Sequence, residues 1–222
     1  MPHRALAERR PWLLASLFFG VTFWFVSQSA MPGIYQIAWK GAGVAMLAGY
    51  AWAHHPSRDA HLLAIVMALS AIGDMALEVR PEAGVGAFFL SHLAAIALYA
   101  RHRRVETSGS QKALAVLLLV VVPLLGYILP VDRGSANTVA FYALALAGMA
   151  GMAWTSSFPR YRVGLGALMF VASDLLIFAK LGPLADARLL TWPIWPLYYF
   201  GQFLIATGVI GALRKAGEFS AE

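Results

Sequence analysis

The residues of this chain with chemical potential are carboxylates set inside apolar, helix-forming runs. Asp74 and Glu78 lie one turn apart in Ala71-Ile72-Gly73-Asp74-Met75-Ala76-Leu77-Glu78, so they share a helix face. Asp174 follows Ser173 in a second such run, Ala172-Ser173-Asp174-Leu175-Leu176. An ionised Asp inside a bilayer costs roughly 2.5–3.5 kcal/mol on insertion scales, so an acid kept there is read as functional first. Lys40, His92, Tyr198 and Gln202 stand in further apolar runs. Two carboxyls and an imidazole in a poorly hydrated cavity are the means of general acid and base catalysis, since neighbouring acids can hold different protonation states.

Each residue also has a structural reading. Either Asp can serve a hydrogen-bonded or ion-paired role, and Glu78, near a helix end, can cap or be solvated. Lys40 can snorkel to the surface or neutralise an Asp. His92 can be a hydrogen-bonded core residue, and Gln202, one turn after Tyr198, can join helices. Lys180 sits near a run's end, at an interface. His54, His55 and His61 are expected in a solvated turn rather than at a metal, and Gly201, Gly208 and Gly211 in small-residue packing. The chain has no cysteine, which excludes disulfides, thiolate metal sites and Cys nucleophiles. It has no Gly-x-Ser-x-Gly elbow, His-Glu-x-x-His or phosphate loop.

The elements that must position these residues are membrane helices. Of the 222 residues 60% are hydrophobic and 13% charged, and the mean hydropathy is +0.67, unlike a soluble domain. Apolar runs of spanning length follow one another almost without pause. They predict an all-α polytopic membrane bundle of about eight transmembrane helices, at residues 12–30, 34–53, 62–79, 83–100, 113–129, 138–154, 163–181 and 195–213. The whole of 1–222 is read as a single transmembrane domain. Met31-Pro32-Gly33 and Arg80-Pro81-Glu82 make turns, residues 101–112 form a polar, basic linker, and a Trp/Pro-rich approach precedes the last span. His92 and Tyr99 share a face of the fourth helix, being two turns apart. The apolar stretch after Arg4, Arg9 and Arg10 runs on to Ala30, so it is read as a retained first helix and not a cleaved leader.

The net charge of +6 and pI near 9.8 invite a nucleic-acid reading, but the basic residues sit in short loops. Topology and anionic headgroups account for them better, and no nucleic-acid partner is expected. Arg4, Arg9, Arg10, Arg58, Arg101, Arg103, Arg104, Lys112, Arg160, Arg162, Arg214 and Lys215 fall on one side, against Arg80, Arg133 and Arg188 on the other. This puts both termini in the cytoplasm. Counting about 1.5 Å per residue, Asp74, Asp174, Lys40, His92 and Gln202 each fall roughly 8–14 Å inside the outer helix ends. Convergence on a shared, wet cavity in the non-cytoplasmic half is the cheapest way to partner them. Asp74 and Asp174 fall on helices running the same way, as a parallel duplication would place them, although the halves otherwise match poorly.

Gly73-Asp74 with Leu77, then Gly86, Phe89, His92 and Tyr99, then Ser173-Asp174, and last Tyr198-Tyr199-x-Gly201-Gln202-x-Leu204-Ile205, resemble in that order the YhhN-like lysoplasmalogenase family. The resemblance covers nearly the whole chain and includes Lys40. It implies a membrane hydrolase, in a bacterial inner membrane, that cleaves the vinyl ether bond of a lysophospholipid drawn from the bilayer, with no cofactor. Vinyl ether hydrolysis calls for one protonated carboxyl as general acid and one carboxylate, so Asp74 and Asp174 are the expected catalytic pair, with either as the acid. Lys40, Glu78, His92, Ser173, Tyr198, Tyr199 and Gln202 would then bind substrate or support the acids. The alternative is a proton-coupled transporter using the Asp, His and Lys groups as a relay, though no inverted repeat is evident and mid-span proline is scarce beyond Pro123. A retinal protein is disfavoured, because Lys180 is too near its helix end for a buried Schiff base.

Overall fold

The computed structural model describes residues 11–219, so Arg4, Arg9 and Arg10 of the charge count lie outside the described residues. Eight α-helices fill this range: α1 Pro11–Val26, α2 Gly33–His54, α3 Arg58–Val79, α4 Pro81–Arg101, α5 Gly109–Ile128, α6 Arg133–Thr155, α7 Leu165–Lys180 and α8 Ile194–Phe219. A π turn, Arg160–Gly164, leads into α7, and a 3-10 turn, Arg188–Thr191, precedes α8. Among the described residues there is no β-strand, only an isolated bridge between Arg103 and Ser156. Six helices, α3 to α8, are long and apolar enough to cross a membrane, α7 taken together with the π turn as Arg160–Lys180 and α8 with the 3-10 turn as Arg188–Gly217, which fits a multi-pass membrane protein. At 16 residues α1 reaches about 24 Å, short of a ~30 Å hydrocarbon core. α2 is long enough but is diluted by Gln36, Lys40 and His54.

Local chemistry explains where the helices begin and end. α1 stops at Val26, short of Ala30, because the side chains that follow it cap its carbonyls. Ser27 Oγ donates to Trp24 O (3.0 Å) and Ser29 Oγ to Val26 O (2.7 Å). Ser57 caps α3 by accepting from the Ala60 N–H at 3.2 Å. Arg80 is extended ahead of Pro81, which ends α3 and opens α4 at its first position. The basic linker is shorter than 101–112. Ser108 and Gln111 form a capping box, with Ser108 N–H donating to Gln111 Oε1 at 2.7 Å, so α5 begins at Gly109. Asp132 accepts from the Gly134 and Ser135 N–H groups and starts α6 five residues before the expected span. The Gly134 N–H, with help from Ser135, holds its carboxyl below the usual range.

The described chain divides into two compact units, residues 11–94 with 209–219, and residues 95–208. In the first, α1, α2, α3 and the start of α4 pack as antiparallel neighbours. Ser16 Oγ donates to Gly43 O (2.7 Å), and Gly41 lies against Met75 and the Ala71 carbonyl. Gly84 abuts the Leu77 backbone across the α3–α4 turn. The histidines expected in a solvated turn are engaged instead: His54 is buried against the Tyr50 ring (4.0 Å) and His61 stacks on Trp52 (4.2 Å). In the second unit α5 pairs with α6, Gly126 against Ala143 and Gly151 against Ala115, while α7 pairs with α8 at Gly166 and Gly201. Val116, Leu117, Val120 and Leu124 on α5 are exposed, as a lipid-facing stripe would be.

Candidate active site

In the first unit, Asp74 is buried on α3, about 8 Å from the end of its helix at ~1.5 Å per residue. Small residues make room around it. A Cβ at Gly73 would fall 2.7 Å from the Phe88 ring, so that ring lies directly on the turn that carries the acid. Ser70 and Ser91 share a buried 2.8 Å hydrogen bond, and Ser91 Oγ also donates to Val66 O at 2.9 Å. This fixes α4 against α3 and sets the register of His92, the next residue and itself buried.

Lys40 pairs with Glu78. Its Nζ donates to Glu78 Oε1 at 2.6 Å, with the Lys side chain 16% and the Glu side chain 48% exposed. Glu78, near the end of α3, can keep one oxygen in water while the other neutralises Lys40. The half-wet location favours this arrangement over a fully buried pair, which would have to overcome desolvation of both ions. The pair ties α2 to α3 one turn beyond Asp74.

In the second unit, Asp174 is buried on α7, about 9 Å from the helix end at ~1.5 Å per residue. Tyr142 of α6, also buried, donates its hydroxyl to Asp174 Oδ2 at 2.7 Å. The bond occupies one carboxyl oxygen and leaves the other, Oδ1, as the position where a proton could be gained or given. Tyr142 was not singled out from the sequence. Its one signal is placement: membrane tyrosines concentrate at interfaces, and this one lies about 14 Å into its helix at ~1.5 Å per residue.

Ser173, beside Asp174, commits its hydroxyl to the Ile194 carbonyl at 3.0 Å and so joins α7 to the start of α8. On α8, Tyr198 packs edge-on against Phe170 (5.0 Å), Tyr199 stacks on Trp195 (6.0 Å), and Gln202 is buried one turn later. Lys180 is the last residue of α7, as expected of an interfacial residue. The structure therefore gathers Asp74, His92, Lys40 and Glu78 on one unit, and Asp174, Tyr142, Ser173, Tyr198, Tyr199 and Gln202 on the other.

The YhhN family model matches residues 35–209, which include every one of these positions. A protein of Mycobacterium bovis (strain ATCC BAA-935 / AF2122/97) named "Lysoplasmalogenase" is 31% identical over 211 residues, covering 87% of this chain and 80% of its own. One of Mycobacterium tuberculosis (strain CDC 1551 / Oshkosh), with the same name, matches to the same extent. No solved structure matches significantly. With more than half of its length matched by the family model, and buried acids on two of the matched helices, the chain belongs to the YhhN family.

Proposed function

We propose that this chain is an integral membrane hydrolase of the lysoplasmalogenase type, cleaving the vinyl ether bond of lysoplasmenylethanolamine or lysoplasmenylcholine. The products are a fatty aldehyde and glycerophosphoethanolamine or glycerophosphocholine. Family membership and the names of the two mycobacterial relatives support the reaction class. The observation on this chain that carries the reading is Asp174, a buried carboxyl held by a phenol within an apolar helix.

The chemistry needs what carboxyls supply. A carboxylic acid gives its proton to the β-carbon of the vinyl ether, and the α-carbon becomes an oxocarbenium ion. A carboxylate stabilises that cation and takes a proton from water as the water oxygen bonds to the α-carbon. The hemiacetal so formed collapses to aldehyde and glycerol hydroxyl, and the proton lost by the first acid is restored. Asp74 and Asp174 are the two carboxyls of this scheme. Lys40, Glu78, His92, Tyr198, Tyr199 and Gln202 orient acids, water or the glycerol end. The lysolipid enters from the bilayer on the non-cytoplasmic side of a bacterial inner membrane, and both termini are cytoplasmic.

The test is aldehyde release by purified protein from each lysoplasmenyl lipid. One aldehyde per glycerophospho-base is expected, and a folded protein that liberates neither product overturns the assignment and turns attention to other lysolipids, then to transport. Tyr142 acts here as a positioning residue for Asp174. Tyr142→Phe keeps the ring and removes the donor, so kcat is expected to fall about tenfold with KM nearly unchanged. A raised KM at constant kcat would instead assign Tyr142 to substrate binding.

A further inference from the structure

The second unit carries a basic corner at the end of its helices remote from Asp174. Two loops are clipped together there. Ser157 N–H donates to His102 O (2.7 Å), Arg103 and Ser156 form a β-bridge, and Arg104 Nε donates to Ser156 O (3.3 Å). The π turn brings Arg160 back over the Trp154 ring, 5.7 Å from its centroid. Gln111 reaches the same level. Gly151 and Ala115 touch across the α5–α6 pair, and one turn further along each helix lie Thr155 and Gln111. Arg101, Arg103, Arg104, Lys112, Arg160 and Arg162 thus border one corner, with Glu106 as the acid in the same loops.

The positive-inside tendency explains exposed arginines in loops, but it does not explain buried donors without acceptors. Gln111 is only 3% exposed, and its Nε2 finds no acceptor among the described residues; nor does the buried Nε of Arg160. A buried donor left so costs about 1–3 kcal/mol, and native structures seldom carry one without a ligand, ion or water to receive it. Beside these donors lie exposed apolar and aromatic side chains, Val105, Tyr161 (79% exposed) and Leu165, and then the lipid-facing stripe of α5. Donors for an oxyanion next to a surface for acyl chains describe a lipid, and the excess of arginine selects a net negative one. About 21 Å of helix, at ~1.5 Å per residue, separates Arg160 from Asp174, so this is not the acid's own site.

We propose that this corner binds the headgroup phosphate of an anionic phospholipid, with Arg104, Arg160 and Gln111 as donors. The protein in nanodiscs of phosphatidylcholine mixed with phosphatidylglycerol, then extracted for native mass spectrometry, is expected to retain phosphatidylglycerol roughly tenfold over phosphatidylcholine. In Arg104→Gln/Arg160→Gln the two lipids should be retained within about twofold of each other. Equal retention by the unaltered protein overturns the proposal, and where the double variant does not fold the single variants Arg104→Gln and Arg160→Gln carry the comparison, an undiminished preference in both overturning it. A preference undiminished in a folded double variant overturns it as well. Inorganic phosphate that displaces the bound lipid at millimolar concentration would make the corner a free-anion site and overturn the lipid assignment.

Discussion

Asp174→Asn is expected to abolish aldehyde release, by a factor of about a thousand or more, in a protein that inserts and melts like the parent. General acid or base catalysis by one group is worth about 10²–10⁴, and in the proposed scheme one carboxyl protonates the β-carbon while the other stabilises the oxocarbenium ion and activates water. Asn is nearly the same size as Asp, and its amide oxygen can still accept the Tyr142 hydroxyl that Asp174 Oδ2 now accepts at 2.7 Å. The packing is therefore kept, while a group that can donate or accept a proton is lost. Asp174→Ala would be a poorer test, because the buried Tyr142 hydroxyl would lose its acceptor at a cost of about 1–3 kcal/mol and inactivity would be ambiguous. Asp74→Asn should be as inactive. That residue lies in a turn tightened by Gly73 against Phe88, where an isosteric change is tolerated and a larger side chain is not. Turnover retained in both Asn variants would sink the assignment of these acids, whatever the reaction proves to be.

How much of this was legible in the sequence depends on which interactions are local. Spans and turns were readable because hydrophobic runs and proline act within a few residues: Arg80-Pro81 breaks the chain where expected, and most helix bounds fall within a few residues of the predicted spans. α5 starts at Gly109, four residues before the expected span, although its signal, Ser108-x-x-Gln111, is a local one. The basic run before it drew the whole stretch into a linker. Asp74 and Asp174 stood out because a charge in an apolar run is costly anywhere. Tyr142 did not, since a lone tyrosine in an apolar helix reads as packing until its partner on another helix is known. Lys40 and Glu78 pair across α2 and α3, a register that no spacing within either helix encodes. The π turn at Arg160–Gly164 has no sequence mark at all, yet it decides where Arg160 lies.

The second large effect is structural, and it bears on the same acid. α7 and α8 meet at two glycines. A Cβ on Gly166 would fall 2.5 Å from the Gly201 carbonyl oxygen, and one on Gly201 would fall 2.7 Å from the Gly166 carbonyl oxygen. Because each clash is with backbone, no rotamer change relieves it, and the helices must separate. Gly166→Ala is expected to lose about 2 kcal/mol despite the roughly 1 kcal/mol gain in helix propensity, and Gly166→Val to lose more. At this chain length that is a fall of about 4–8 °C in melting temperature for the alanine variant. Gly86 and Gly211, with nothing within 4 Å of a built Cβ, supply the control. Alanine there should be neutral or stabilising by about 0.5–1 kcal/mol. Separation at Gly166 would also stretch the Ser173–Ile194 bond seven residues further along α7, next to Asp174. Activity of Gly166→Ala should therefore fall below the parent even well under its melting temperature, whereas the Gly86 and Gly211 variants keep theirs. A Gly166→Ala protein as stable and active as the parent would mean that α7 and α8 do not approach this closely, and the placement of Ser173 against α8 would fall with that contact.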